Sequence, residues 1–140
     1  MLDTYDELVR TIPLGDWAAD EDAKPRALLF VPAGRVFTVE SVLMSTEAAV
    51  VDQDTDYNTF YVQNNVATYL AAAVICSLAN GPAAGGVTIA IAPTAMSTPA
   101  ATKKVVNGGA AGATIYFVSV LTGAGLAVPS LVVHLVGQWA

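Results

Sequence analysis

The chain has 140 residues, 54% hydrophobic and 13% charged, with a net charge of −6. It is too apolar to be disordered and carries roughly half the charged fraction of an ordinary soluble domain. One cysteine excludes a disulfide scaffold or a cysteine-ligated zinc module. Six basic residues are too few for a nucleic-acid binder, whose affinity comes from phosphate contacts.

All twelve acids lie between Asp3 and Asp56. Against four bases they give the first 56 residues a net charge of −8. From Tyr57 to Ala140, 84 residues, the only charged side chains are Lys103 and Lys104, plus His134 when protonated. A monomer normally spreads charge over its surface. A stretch this long without carboxylates suits a surface covered by neighbours, or a β-rich shell solvated through neutral groups. It suits an enzyme poorly, because a carboxylate pair would have to come from the first 56 residues.

The N-terminus, Met-Leu-Asp-Thr-Tyr-Asp-Glu, is acidic and is not expected to act as a secretory signal. Asp3 or Thr4 is placed to cap a short helix, with Leu2, Tyr5, Leu8, Val9 and Ile12 at roughly helical spacing. Pro13 and Gly15 would end it. Residues 1–26 are expected to form an N-terminal arm anchored by Leu8, Ile12 and Trp17 on the body or on a neighbouring subunit.

From Ala27 the pattern turns β. Ala27–Val31, Arg35–Met44 and Tyr57–Gln63 read as strands, rich in β-branched and aromatic residues. Pro32-Ala33-Gly34 and Asn64-Asn65 read as turns. Val66–Leu78 fits a helix or a strand, because periodicity cannot separate the two in a short apolar run. At about 14 residues, Val66–Ala79 is shorter than the roughly 20 a spanning helix needs, and no membrane association is expected. Val87–Ala92, Lys103–Val106, Ala113–Leu121 and Ser130–Val136 complete the strands. Short strands with regular turns predict an all-β chain: an antiparallel β-sandwich or jelly-roll-like body over 27–140, with an extended N-terminal arm.

Chemistry-bearing residues are few. His134 is the one histidine and shares a strand face with Val132 and Val136. A lone histidine cannot build a multi-histidine metal site, and a Ser–His–Asp triad would need an acid from the N-terminal part. Cys76 sits in an apolar run and reads as a reduced core residue. Asp52, Asp54 and Asp56 alternate like the opening of an EF-hand loop. The match then fails, with Tyr57 in place of the glycine and Gln63 in place of the closing glutamate. The three acids are therefore a weak cation candidate beside the reading of a solvated loop. The glycine pairs lack phosphate-loop or dinucleotide spacing, so no cofactor is expected.

One resemblance stands beside these readings. Gly123-x-Gly125-x-Ala127-x-Pro129-x-Leu131-x-Val133 follows a strand and leads into the closing one. Val31-Pro32-Ala33-Gly34 precedes the long strand Val36–Met44, and Asp54-Thr55-Asp56-Tyr57-Asn58-Thr59 precedes another. In order and pattern, Leu29 to Val136 resembles the head decoration, or cement, proteins of tailed bacteriophages. The resemblance implies a compact β body without catalytic residues that binds the outer capsid. It also implies a homo-trimer touching the major capsid protein, with terminal arms reaching neighbours. Leu8, Ile12, Trp17 and Trp139 are the candidate interface residues, tryptophan being enriched at interface hot spots. The expected place is the exterior of a virion assembled in the host cytoplasm. The alternatives are another virion part, such as a head-fibre base or tail protein, and a carbohydrate-binding β-sandwich presenting Tyr57, Phe60, Tyr61 or Tyr69. A hydrolase using His134 is the remaining one.

Overall fold

A computed structural model describes residues 6–18, 25–51, 55–64, 73–79, 93–96 and 105–140. Every regular element among them is a β-strand. They are β1 (Asp6–Trp17), β2 (Arg26–Val31), β3 (Val36–Ser45), β4 (Tyr57–Asn64), β5 (Ala73–Ala79), β6 (Thr94–Ala95), β7 (Val105–Asn107), β8 (Ala113–Thr122) and β9 (Val128–Trp139). Burial alternates along β9 from Ser130 to Gln138 and along β3 on either side of a bulge at Glu40, as expected for strands with one face on a core.

The strands form two antiparallel sheets packed together as a sandwich. One has the order β1-β9-β3-β6, with β7 also on β3; the other has the order β2-β8-β4-β5. The first strand pairs with the last, β2 with β8, β3 with β7 and β6, and β4 with β5. The chain is thus one long double-stranded ribbon, open at its termini and closed at β4–β5, and rolled so that successive strand pairs alternate between the sheets. Contacts of β9 with β3 and of β8 with β4 seal the roll.

Trp17 closes the space between the layers. It is 1% exposed. Its ring meets Phe117 of the other sheet edge-on at 5.3 Å and Phe60 at 6.5 Å, while Phe60 and Phe117 stack at 5.5 Å. Its Nε1–H donates to the buried Ser119 Oγ at 3.1 Å, and the Arg26 guanidinium lies 5.1 Å over its ring. Around this aromatic set pack Val31, Phe37, Met44, Ile115, Leu131 and Leu135, all fully buried.

Reaching that position requires the strand to change face. Pro13 is exposed and pairs with Val132, whereas Trp17, four residues on, is buried and pairs with Val128. Strict alternation would point both the same way. Gly15 is left-handed (φ 74°), and so is Ser130 on the partner strand (φ 48°). One such residue in each strand inverts the faces of both together, and the irregular pairing falls between Pro13 and Trp17. Asp16 Oδ1 accepts the Ser130 N–H at 3.0 Å and holds the two bends together.

Several expectations change. The helix expected near the N-terminus is strand β1 from Asp6 onward. Leu8 and Ile12 are half-buried against the core from within that strand. Trp17, expected to anchor an arm on the body or on a neighbouring subunit, is buried inside the chain's own core. Of the ambiguous Val66–Leu78 stretch, Ala73 onward is strand β5, with Cys76 opposite Val62. The expected strand Val87–Ala92, Tyr69, Lys103 and Lys104 lie outside the described residues. The expected strands β2, β3, β4, β7, β8 and β9 are present with small shifts of boundary.

Trp17→Ala is expected to cost about 3–5 kcal/mol, as for large aromatic truncations in cores. Trp17→Phe, which loses mainly the bond to Ser119, is expected to cost about 1 kcal/mol; urea unfolding measures both. At Gly15 an added Cβ would meet nothing within 4 Å. Gly15→Ala should therefore cost only the left-handed penalty, about 1–2 kcal/mol in the same experiment.

Candidate functional site

The outward face of the β1-β9-β3 sheet is built by register. Val9, Val136 and Ser41 form one row; Thr11, His134 and Leu43 form the next; Pro13, Val132 and Ser45 form a third. The row of Glu7, Gln138 and Thr38 bounds it. Three adjacent strands thus present valine, leucine, proline and hydroxyl side chains, and one carboxylate, the exposed Glu40, stands among them at the β3 bulge between Val39 and Ser41. Val9 is 64% exposed. The outward positions of β9 (Val132, His134, Val136, Gln138) are all half-buried and uncharged apart from the imidazole. Of the three strands only β9 comes from the carboxylate-free stretch, and it runs through the middle of a charge-poor face whose described acids are Glu7 at the boundary and Glu40 at the β3 bulge.

His134 sits in the middle of this face, as its alternation with Val132 and Val136 predicted. Thr11 Oγ1 lies 3.2 Å from its Nδ1 and Ser45 Oγ lies 3.0 Å from its Nε2. A neutral ring donates through one nitrogen and accepts through the other, and hydroxyls serve either role. The imidazole therefore links β1, β9 and β3 across the sheet. Ser45 and His134 have the spacing of a nucleophile and its base. The group on the far nitrogen is a threonine hydroxyl rather than the carboxylate that orients a catalytic histidine, and the pair lies on an open sheet face. The geometry describes a cross-strand tie.

At the Trp17 end of the sandwich, the loop between β8 and β9 is pinned by β4. Asp56 Oδ1 accepts the Ala124 N–H at 2.7 Å. Asn58, fully buried, donates Nδ2–H to the Leu126 carbonyl at 2.7 Å and accepts the Leu126 N–H at 3.3 Å. A Cβ on Gly123 would strike the Thr55 carbonyl and the Asp56 carboxylate, so only glycine lets the loop approach. Of the weak cation candidates, Asp56 is thus a loop clamp, while Asp52 and Asp54 lie outside the described residues. Among the described residues no three His, Cys, Asp or Glu side chains gather as a metal site. Asn58 carried a signal in the sequence: it shares the inward phase of β4 with Phe60 and Val62, where a polar residue needs built-in partners.

Trp139, the remaining interface candidate, is half-buried against the core. Its ring meets Phe37 at 4.9 Å, and the Arg35 guanidinium stacks 4.9 Å over it. Gly137 makes room for this packing, since a Cβ there would strike the Phe37 ring. Phe60, one of the aromatics considered for sugar stacking, is fully buried, whereas Tyr57 and Tyr61 face outward.

Among the described residues no helix is long and apolar enough to cross a membrane. Comparison of the chain with family models, with characterised proteins and with solved structures returns no match.

His134→Ala should leave the sandwich folded and cost about 1–2 kcal/mol, the scale of the two cross-strand hydrogen bonds it removes. Chemical denaturation followed by circular dichroism reads this directly.

Proposed function

We propose that the chain is a virion structural protein: a head decoration, or cement, protein of a tailed bacteriophage. In this reading it lies on the outer capsid surface, bridges neighbouring subunits of the major capsid protein and assembles as a homo-trimer. The observation that carries the proposal is the charge-poor face of β1, β9 and β3. A three-strand surface of valines and hydroxyls, with Glu40 at the β3 bulge as the one carboxylate among its rows, is costly for a free monomer and suited to burial between subunits. Contacts of this kind are individually weak, and repetition on a symmetric lattice multiplies them.

The strand order adds a second support. The pairing of early strands with late ones, alternating between the two sheets, is what a jelly-roll-like body would give and supports that reading. Such a body is shared by many kinds of protein, so the functional weight rests on the face and not on the fold. In this account the contact surface is the sheet containing β1, with the residues around Val9 and Val136 at its centre, in place of Trp17.

The direct test is location. Antibody raised against the chain should label the outer head surface in electron micrographs of phage particles from the lysate in which it is made. Label confined to the tail or to head fibres would assign the protein to another part of the virion. Particles that carry no label would overturn the proposal.

The trimer is tested separately. The full-length chain should elute at three times its own mass by light scattering after size exclusion. Val136→Glu combined with Val9→Glu should shift it to the monomer mass with an unchanged melting profile. A wild-type chain that is monomeric at high concentration would contradict self-association through this face.

A further inference from the structure

A second surface feature lies away from the charge-poor face. A cleft of about 430 Å³ opens beside β2, walled by Arg10, Leu28, Phe30, Thr114 and Tyr116. That volume falls within the range of small-ligand sites. β2 is the edge strand of its sheet, and β1, which carries Arg10, is the edge strand of the other. The cleft therefore sits along the open side of the sandwich, where the pairing of β2 with β8 slips between Ala27 and Leu29.

Its chemistry is specific. The other described arginines, Arg26 and Arg35, lie over the rings of Trp17 and Trp139. Arg10 is exposed and has no ion pair or aromatic stack among the described residues. It brings a planar, two-pronged donor to a protein of net charge −6. Phe30 is 56% exposed, between the buried Leu29 and Val31. Beside it the half-buried Tyr116 adds a second ring and a phenol hydroxyl, and Thr114 adds another hydroxyl.

We propose that this cleft binds an acidic saccharide, with Arg10 on the sugar carboxylate and Phe30 and Tyr116 against the ring. The guanidinium matches a carboxylate in a bidentate pair. An exposed aromatic ring covers the apolar face of a pyranose, and the tyrosine hydroxyl exchanges hydrogen bonds with the sugar's own. A protein strand added to the edge of β2 would need an unbroken ladder of backbone groups, which the irregularity at Ala27–Leu29 interrupts. The ring-and-carboxylate chemistry therefore favours a sugar acid over an extended acidic peptide. This inference does not rest on the virion reading and holds or fails independently of it.

The test is titration calorimetry on the full-length chain with trigalacturonate, maltotriose and a hexaglutamate peptide as probes. Trigalacturonate should bind, and maltotriose should bind at least tenfold more weakly or not at all. Arg10→Gln should weaken trigalacturonate binding about tenfold or more, the scale of one charge-assisted pair. Phe30→Ala should weaken it as well. Both side chains are exposed, so both variants should melt as the wild type does, and Tyr116→Phe supplies a third variant that keeps the ring. The proposal is overturned by absence of trigalacturonate binding, by equal affinity for maltotriose, or by binding unchanged in Arg10→Gln. Tighter binding of hexaglutamate would also overturn it and assign the cleft to an acidic protein segment.

Discussion

The sandwich depends on one contact between its layers. The Trp17 indole enters from the edge strand of one sheet and packs against Phe117 and Phe60 of the other, with its N–H held by Ser119. Burial of a ring this large dominates local core energetics, and the hydrogen bond removes the penalty of burying its polar end. The contact spans 102 positions of sequence. It ties the first strand to the interior, which in turn fixes where the other outward residues of β1 lie. Val9, Thr11 and Pro13 join the face shared with β9 and β3 because Gly15 and Ser130 let both strands turn over together before Trp17.

From that constraint the surface chemistry follows. Folding the termini against each other puts β9 between β1 and β3. The last strand of the carboxylate-free C-terminal part thereby becomes the centre of a sheet instead of its rim. Among the described acids of the N-terminal part, Glu40 stands on this face at the β3 bulge, Glu7 bounds it, Asp16 sits at the paired bends, and Asp56 pins a loop. His134 joins all three strands of the face through Thr11 and Ser45. The interface reading and the structural role of the histidine thus have one origin, a rolled ribbon whose last strand is internal.

Much of the fold was legible in the sequence because strands with one buried face alternate: β9 does so from Ser130 to Gln138, β4 from Tyr57 to Val62 and β8 from Ala113 to Phe117, and β3 alternates on either side of its bulge at Glu40. β1 was misread for a physical reason. Leu8 and Ile12 are four apart, a spacing that both a helix face and a strand face satisfy. Pro13 and Gly15 read as helix terminators, yet an edge strand tolerates a proline, and here the glycine is the hinge of the face change. The role of Trp17 was hidden because its partners are remote in sequence. The outward phase of His134 was readable from its neighbours; Thr11 and Ser45 became its partners only through register. Of the Asp52, Asp54, Asp56 motif, spacing suggested a cation, while the observed role of Asp56 depends on a loop that passes close by at Gly123.

The measurement that tests this account most directly is native-state hydrogen exchange on the full-length chain. The central claim is that β1 belongs to the sandwich and helps to form its charge-poor face. The β1 amides bonded to β9 should then exchange only with global unfolding, at the same opening free energy as those of Leu131–Leu135. Rapid exchange along β1 while β9 stays protected would contradict the claim. It would return the N-terminal segment to the role of an arm and remove Val9 and Thr11 from the face.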